Sequence, residues 1–142
     1  MTEREKIVET VNKLFVYTDE QNWRGLQDDV FTENVFLDMT SLRGAASDVT
    51  AKEICDNWRQ GFKELDAVNH LAGNYLITLS GDHDAEVHAY ATATHYKESA
   101  KNGTTREFVG TYDIRLSKNS LGWRIHTLKY NLKYTQGNML LD

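Results

Sequence analysis

Apolar and polar positions divide the chain into a helical front third and a strand-rich remainder. Thr2 and Glu5 stand in the spacing of a capping box, and Ile7, Val8, Val11, Leu14 and Phe15 follow as the apolar face of a first helix. Asn22 is placed to cap a second, short helix carrying Trp23, Leu26 and Val30, ending near Phe31 and Thr32. A short strand is expected over Val35 to Met39, then a polar, glycine-containing loop over Ser41 to Val49. Thr50 and Glu53 repeat the capping box and open a helix with Ile54, Trp58 and Phe62.

The period then changes to two. Leu71, Tyr75, Ile77 and Leu79 alternate, the run Ser80-Gly81-Asp82-His83-Asp84 breaks the chain, and Val87, Ala89, Ala91 and Ala93 alternate again. This pattern predicts a long hairpin from His70 to Tyr96. If Leu79 faces Glu86 across the turn, the same register sets His70 directly opposite His95, unless a bulge intervenes. A turn around Asn102-Gly103, a strand carrying Phe108, Gly110, Tyr112, Ile114 and Leu116, a turn over Lys118 to Gly122, and a last strand to about Tyr134 complete the chain. Helices first and antiparallel hairpins afterwards make an α+β domain whose curved sheet wraps around its helices.

The 142 residues suit one domain, with no repeat or internal linker. A net charge of −5 and the absence of a basic run argue against nucleic acid as a partner. A single cysteine, Cys55, permits no disulfide within the chain, and the charged N-terminus with no long apolar stretch argues against a signal peptide or membrane span. The expected location is cytoplasmic.

Candidate chemistry starts with Asp19. Extending the row Val11, Phe15 by one helical turn places this carboxylate on the core-facing stripe, at the negative end of the helix dipole. Either it rotates outward as the helix frays or it has a partner, and a histidine would serve. With His95 braced by Asp19 as a base, His70 could polarise a carbonyl or protonate a leaving hydroxyl. Two histidines and a carboxylate could also hold a metal, but no fourth ligand suggests itself, so a metal is not expected. Cys55 has no histidine beside it, and there is no Gly-x-Ser-x-Gly elbow, which disfavours nucleophilic catalysis. His83, His88 and His126 are expected to face solvent.

The segments YTDEQNW, VFTENVFLDM, NHLAGN, SGDHDAEVHAYATATHY and LGWRIHTLKY together cover nearly the whole chain. In this order they resemble the SnoaL-like branch of the nuclear-transport-factor-2-like superfamily, which includes scytalone dehydratase. The resemblance implies one cone-shaped domain over residues 1–142, a strongly bent mixed sheet closed by helices around a cavity. It also implies a cofactor-free lyase or isomerase, dehydratase-like or polyketide cyclase-like, acting on a small cyclic or aromatic carbonyl compound. His70, His95 and Asp19 occupy the positions of that branch's catalytic residues. Two water-positioning tyrosines of the dehydratase are replaced by Thr18 and Met39, with Tyr17 adjacent. Tyr17, Thr18, Asp38, Met39, Trp58 and Phe62 are the expected substrate contacts. Steroid isomerase-like members offer a second precedent, in which Asp38 would be the base, and a non-catalytic binding or assembly module is the rival class. A homo-oligomer, dimer or trimer, is expected. In the tail, residues 133–142, Met139, Leu140 and Leu141 are expected to cover the cavity mouth or a neighbouring subunit.

Overall fold

The computed structural model describes residues 1–142. Helix α1 (Glu3–Asp19) begins as its sequence predicts: Thr2 Oγ1 accepts from Glu5 N–H, and the Glu5 carboxylate accepts from Thr2 N–H. Its first turn is tied to the sheet by the Glu3 carboxylate, which takes hydrogen bonds from Trp123 Nε1 at 2.7 Å and Lys118 Nζ at 3.1 Å. Asn22 caps the single turn α2 (Trp23–Gly25) through Gly25 N–H, and a π-helical turn, Leu26–Val30, carries the chain into the sheet. Helix α3 (Ala51–Gly61) is capped by Thr50, which accepts from Glu53 N–H.

Six strands form one mixed sheet: β1 (Phe31–Asp38), β2 (Ala46–Thr50), β3 (Ala67–Ser80), β4 (Asp84–Tyr96), β5 (Thr105–Asn119) and β6 (Gly122–Gly137). Their order is β2-β1-β6-β5-β4-β3, antiparallel throughout except for the parallel β1–β6 pair. The helices pack on the concave face. Ile7, Val11 and Leu14 of α1, Ile54 and Cys55 of α3, and Val87, Ile114, Leu116, Ile125 and Leu128 of the sheet form a single core. Each of these aliphatic side chains contributes about 1.5–3 kcal/mol through burial.

Two strand assignments change. β1 starts at Phe31 rather than Val35, so the residues expected to end the second helix begin the sheet. The segment expected to be loop over Ser41 to Val49 contains strand β2, which pairs with β1 from Asn34↔Thr50 to Asp38↔Ala46. β2 is an edge strand with an exposed Ala-Ser-Asp stretch, so it carries no apolar alternation by which a sequence reader could find it.

The hairpin register also differs from the simple one. Leu79 pairs with Ala85 rather than Glu86, and a bulge at Asn74 and Tyr75 shifts the pairing by one more residue. Asn74 stands in the left-handed region at φ 53°, a conformation asparagine tolerates better than most residues. His70 therefore pairs with Ala93, and His95 with Val68. The two one-residue departures cancel in parity, so His70 and His95 still share the concave face as diagonal neighbours. Parity along β3 reverses at the bulge, and Leu71 consequently points out, 73% exposed, where alternation alone had placed it inward.

The tail folds back onto its own chain. Lys101 and Asn102 N–H both donate to the Asp142 carbonyl at 3.0 Å, Asn138 Nδ2 donates to Gly103 O, and Leu141 is buried. It packs against the β4–β5 loop and forms no part of the cavity lining, while Leu140 remains exposed.

Candidate active site

The concave face carries a cavity of about 190 Å³. Ala91 and Ala93 lie on its floor, and their small side chains leave the space that larger residues would fill. Phe15, Trp58, Phe62, Phe108, Leu14, Leu42, Met39 and Leu128 supply apolar walls. Apart from Tyr112 and Tyr130, the polar lining consists of Thr18, His70 and His95. Thr18 Oγ1 donates to Leu14 O at 2.6 Å, which leaves it only acceptor capacity toward a ligand.

Asp19 is the last residue of α1 and continues the row Val11, Phe15 as the helical period requires. The Phe15 and His70 rings meet at a tilt of 33° with centroids 5.4 Å apart, and one turn later the Asp19 carboxylate clamps the same residue. Oδ2 accepts from the His70 backbone N–H at 2.8 Å, and Oδ1 lies 2.6 Å from His70 Nδ1. The expected Asp19–His95 contact is thus replaced by Asp19–His70. Spacing could not distinguish the two, because both histidines are on one face and only the bulge decides which one meets the helix end. Since a carboxylate can only accept, Nδ1 of neutral His70 carries the proton and Nε2 is left as a lone pair at the cavity.

His95 has the opposite arrangement. Arg106 stands directly across from it on β5, and Arg106 Nε donates to His95 Nδ1 at 3.0 Å. A guanidinium is only a donor, so Nδ1 is the acceptor and neutral His95 holds its proton on Nε2. The ring sits between Phe62 and Phe108, at 5.4 and 5.3 Å. Burial among these rings, then the positive charge of Arg106 and repulsion from His70 whenever that ring is protonated, bring its pKa from 6.5 to about 4 against the opposing pull of Asp19. His95 is therefore a neutral hydrogen-bond donor over the physiological range, and the expected bracing is reversed: Asp19 supports His70, not His95.

This shift has a consequence for stability. The folded-state pKa lies below the unfolded one, so between pH 6.5 and about 4 the unfolded chain binds a proton that the folded chain refuses. Stability contributed by neutral His95 is complete above that window, falls by about 3 kcal/mol as pH drops through it, and levels off below. Urea unfolding of the wild type and His95→Gln across this range should show the variant losing less stability on acidification. Parallel curves would refute the assignment.

The remaining predicted residues divide cleanly. Thr18, Met39, Trp58 and Phe62 line the cavity; Tyr17 does not, lying instead against Gly25 and Asn22. Asp38 also falls outside the lining. It alternates with inward Leu37 and Met39, and its Oδ1 accepts from Thr40 N–H at 3.0 Å and Thr40 Oγ1 at 2.7 Å. Those two bonds hold its pKa below the usual carboxylate value, which fits a turn-capping anion rather than a base. His88 binds Asp113 on the convex face, His83 is exposed, and His126 contacts Thr127. Cys55 is buried in the core, where desolvation pushes its thiol up to about 11. No three His, Cys, Asp or Glu side chains come close enough together to hold a metal ion. No helix is long and apolar enough to cross a membrane.

Arg106 and Tyr130 carry no expectation from the sequence at this site, and Tyr112 is expected only as an alternating strand residue. Arg106 had a detectable signal: it shares the parity of Phe108, Gly110 and Tyr112, so it is a charge on an inward row, just as Asp19 is on α1.

A family model for the SnoaL-like domain matches residues 1–129. Among solved structures, the Kfla4162 protein of Kribbella flavida superposes with a TM-score of 0.91 at 24% identity, covering 98% of this chain and 95% of that one. A candidate scytalone dehydratase from Novosphingobium aromaticivorans gives 0.80 at 14% identity, covering 96% and 87%. A nuclear-transport-factor-2-like superfamily protein of Salmonella enterica gives 0.76 at 17% identity, covering 93% and 92%. At these identities the likeness is one of fold. No curated protein sequence matches the chain.

Proposed function

The chain belongs to the SnoaL-like domain family, and we propose that it is a cofactor-independent lyase or isomerase acting on a small cyclic or aromatic carbonyl compound. One observation carries this reading: two histidines at one apolar cavity have their Nδ1 atoms bonded with opposite polarity, His70 to a carboxylate and His95 to a guanidinium. The same type of side chain thereby becomes a base in one position and a donor in the other.

In the proposed step, His70 Nε2 removes a proton from the carbon next to the carbonyl. The resulting imidazolium is stabilised by Asp19, and the electron pair moves onto the carbonyl oxygen, which receives the His95 Nε2–H bond. A preorganised donor of this kind in a dry site is worth about 2.7–4 kcal/mol. The His70 proton then goes either to another carbon, giving an isomer, or to a β-hydroxyl, which leaves as water while the enolate reforms the carbonyl and a carbon–carbon double bond. Atoms and charge balance in both branches with no co-reactant. Likeness of fold supports this direction, since one structural neighbour is described as a candidate scytalone dehydratase. A homo-oligomer remains part of the proposal, supported by Leu71, Leu76 and Tyr90 exposed on the convex sheet face.

The test is proton exchange at carbon. Acetophenone and related cyclic ketones in deuterium oxide, followed by proton NMR, should lose their α-proton signal faster with the protein than with buffer imidazole. Exchange no faster than the buffer rate across the series would refute the catalytic reading and leave a binding module.

A further inference from the structure

His70 and His95 occupy one end of the cavity and leave the other polar wall without a role. There Tyr112 and Tyr130 face each other in direct β5–β6 register, with ring centroids 4.9 Å apart. Tyr130 is only 4% exposed, and its hydroxyl is the one buried side-chain polar atom of the chain that has no hydrogen-bond partner. Native folds retain few such groups, and this one belongs to a residue of the cavity lining, so the partner it lacks can be supplied by a ligand once the ring turns its sealed hydroxyl toward the cavity.

The local sequence accommodates this phenol. A Cβ on Gly110 would lie 2.7 Å from the Tyr130 hydroxyl and 2.9 Å from its Cζ, besides colliding with the Asn131 carbonyl. Glycine at that position allows the tyrosine to lie across β5. Burial pushes the Tyr130 phenol up to about 12 and Tyr112 higher still, so both remain O–H donors at any working pH. The register sets Tyr112 opposite Ala89, six residues along β4 from His95, so tyrosines and histidines occupy different ends of the cavity, while Phe15, its centroid 5.4 Å from both His70 and Tyr112, keeps those two rings within about 11 Å of each other. One aromatic ligand can bridge that interval.

We infer that Tyr130, with Tyr112 beside it, is a second polar anchor that hydrogen-bonds an oxygen at the far end of the ligand. The substrate is then an aromatic or cyclic ketone with a further hydroxyl or carbonyl oxygen remote from the reacting carbonyl. The orientation rests on the proposed base and donor at the histidine end, whereas the anchor itself is testable by binding alone.

The probes are acetophenone and its para-hydroxy derivative, with affinities measured by calorimetry for the wild type and Tyr130→Phe. The wild type should bind the hydroxylated ketone about tenfold tighter, the yield of one added hydrogen bond in a dry site. Tyr130→Phe should bind the two alike and melt no lower than the wild type, since it loses no internal bond. A preference that survives in Tyr130→Phe, a wild type with no preference, or a lowered melting temperature in the variant would each overturn the anchor. Deuterium exchange read alongside separates the two proposals. Exchange without a hydroxyl preference removes only the anchor, and a hydroxyl preference without exchange removes only the catalytic reading.

Discussion

Replacing His70 with Asn should reduce α-proton exchange by about 10²–10⁴, the usual worth of a positioned proton-transfer group, and leave the fold in place. Asn keeps a donor that can face Asp19, so the carboxylate retains a partner and the backbone bond from residue 70 to Asp19 Oδ2 is unaffected. What disappears is the Nε2 lone pair at the cavity. Asp19→Asn should give a smaller loss. It keeps a hydrogen-bonding group at the helix end but withdraws the negative charge that stabilises the imidazolium formed during proton transfer. The two effects should not add in the double variant, because the residues act as a unit. A His70→Asn protein that exchanges at the wild-type rate would eliminate it as the base. Asp38 would not inherit the role, since both of its hydrogen bonds lie in the turn at the end of β1 and none at the cavity.

The site was legible in the sequence to the extent that it broke a local rule. Asp19 interrupts an apolar helical row, and His95 interrupts a row of valine and alanines in β4; both violations mark the cavity. His70 could be placed on the correct face only because two register departures cancel. One is the turn, where Leu79 meets Ala85; the other is the Asn74 bulge. Neither leaves a trace in hydrophobic periodicity, so the pairing partner of each histidine was beyond reach. Which histidine meets Asp19 depends on how the end of α1 crosses β3, a tertiary relation with no local signature. β2 was invisible for a different reason: an exposed edge strand needs no apolar alternation, and its stabilisation comes from the backbone ladder to β1. The family resemblance supplied the cone and the three polar residues together, but it could not say which histidine is base and which is donor. That assignment comes from hydrogen-bond polarity.

Arg106 is where that polarity is most exposed to experiment. Its Nε holds His95 Nδ1 as an acceptor, and a terminal nitrogen donates to the Met139 carbonyl at 3.0 Å, so the folded-back tail braces the guanidinium that braces the histidine. Arg106→Met keeps much of the aliphatic bulk and removes both donors and the charge. Two changes should follow. The His95 pKa should rise from about 4, because the largest opposing charge is gone, yet stay below 6.5, because burial, the main cause of the depression, remains. His95 also loses its fixed tautomer, so the fraction presenting Nε2–H to the carbonyl falls. The exchange rate should drop about 10–10²-fold in kcat with little change in KM, since the donor acts on charge that develops only in the transition state. Arg106→Lys is the sharper variant. It retains a cation but not the planar Nε donor, so it should keep the pKa low while losing rate. Imidazole NMR titration and exchange kinetics on the two variants separate charge from geometry. If Arg106→Met leaves both the His95 titration and kcat unchanged, the guanidinium is a surface brace for the tail, and His95 owes its tautomer to something else.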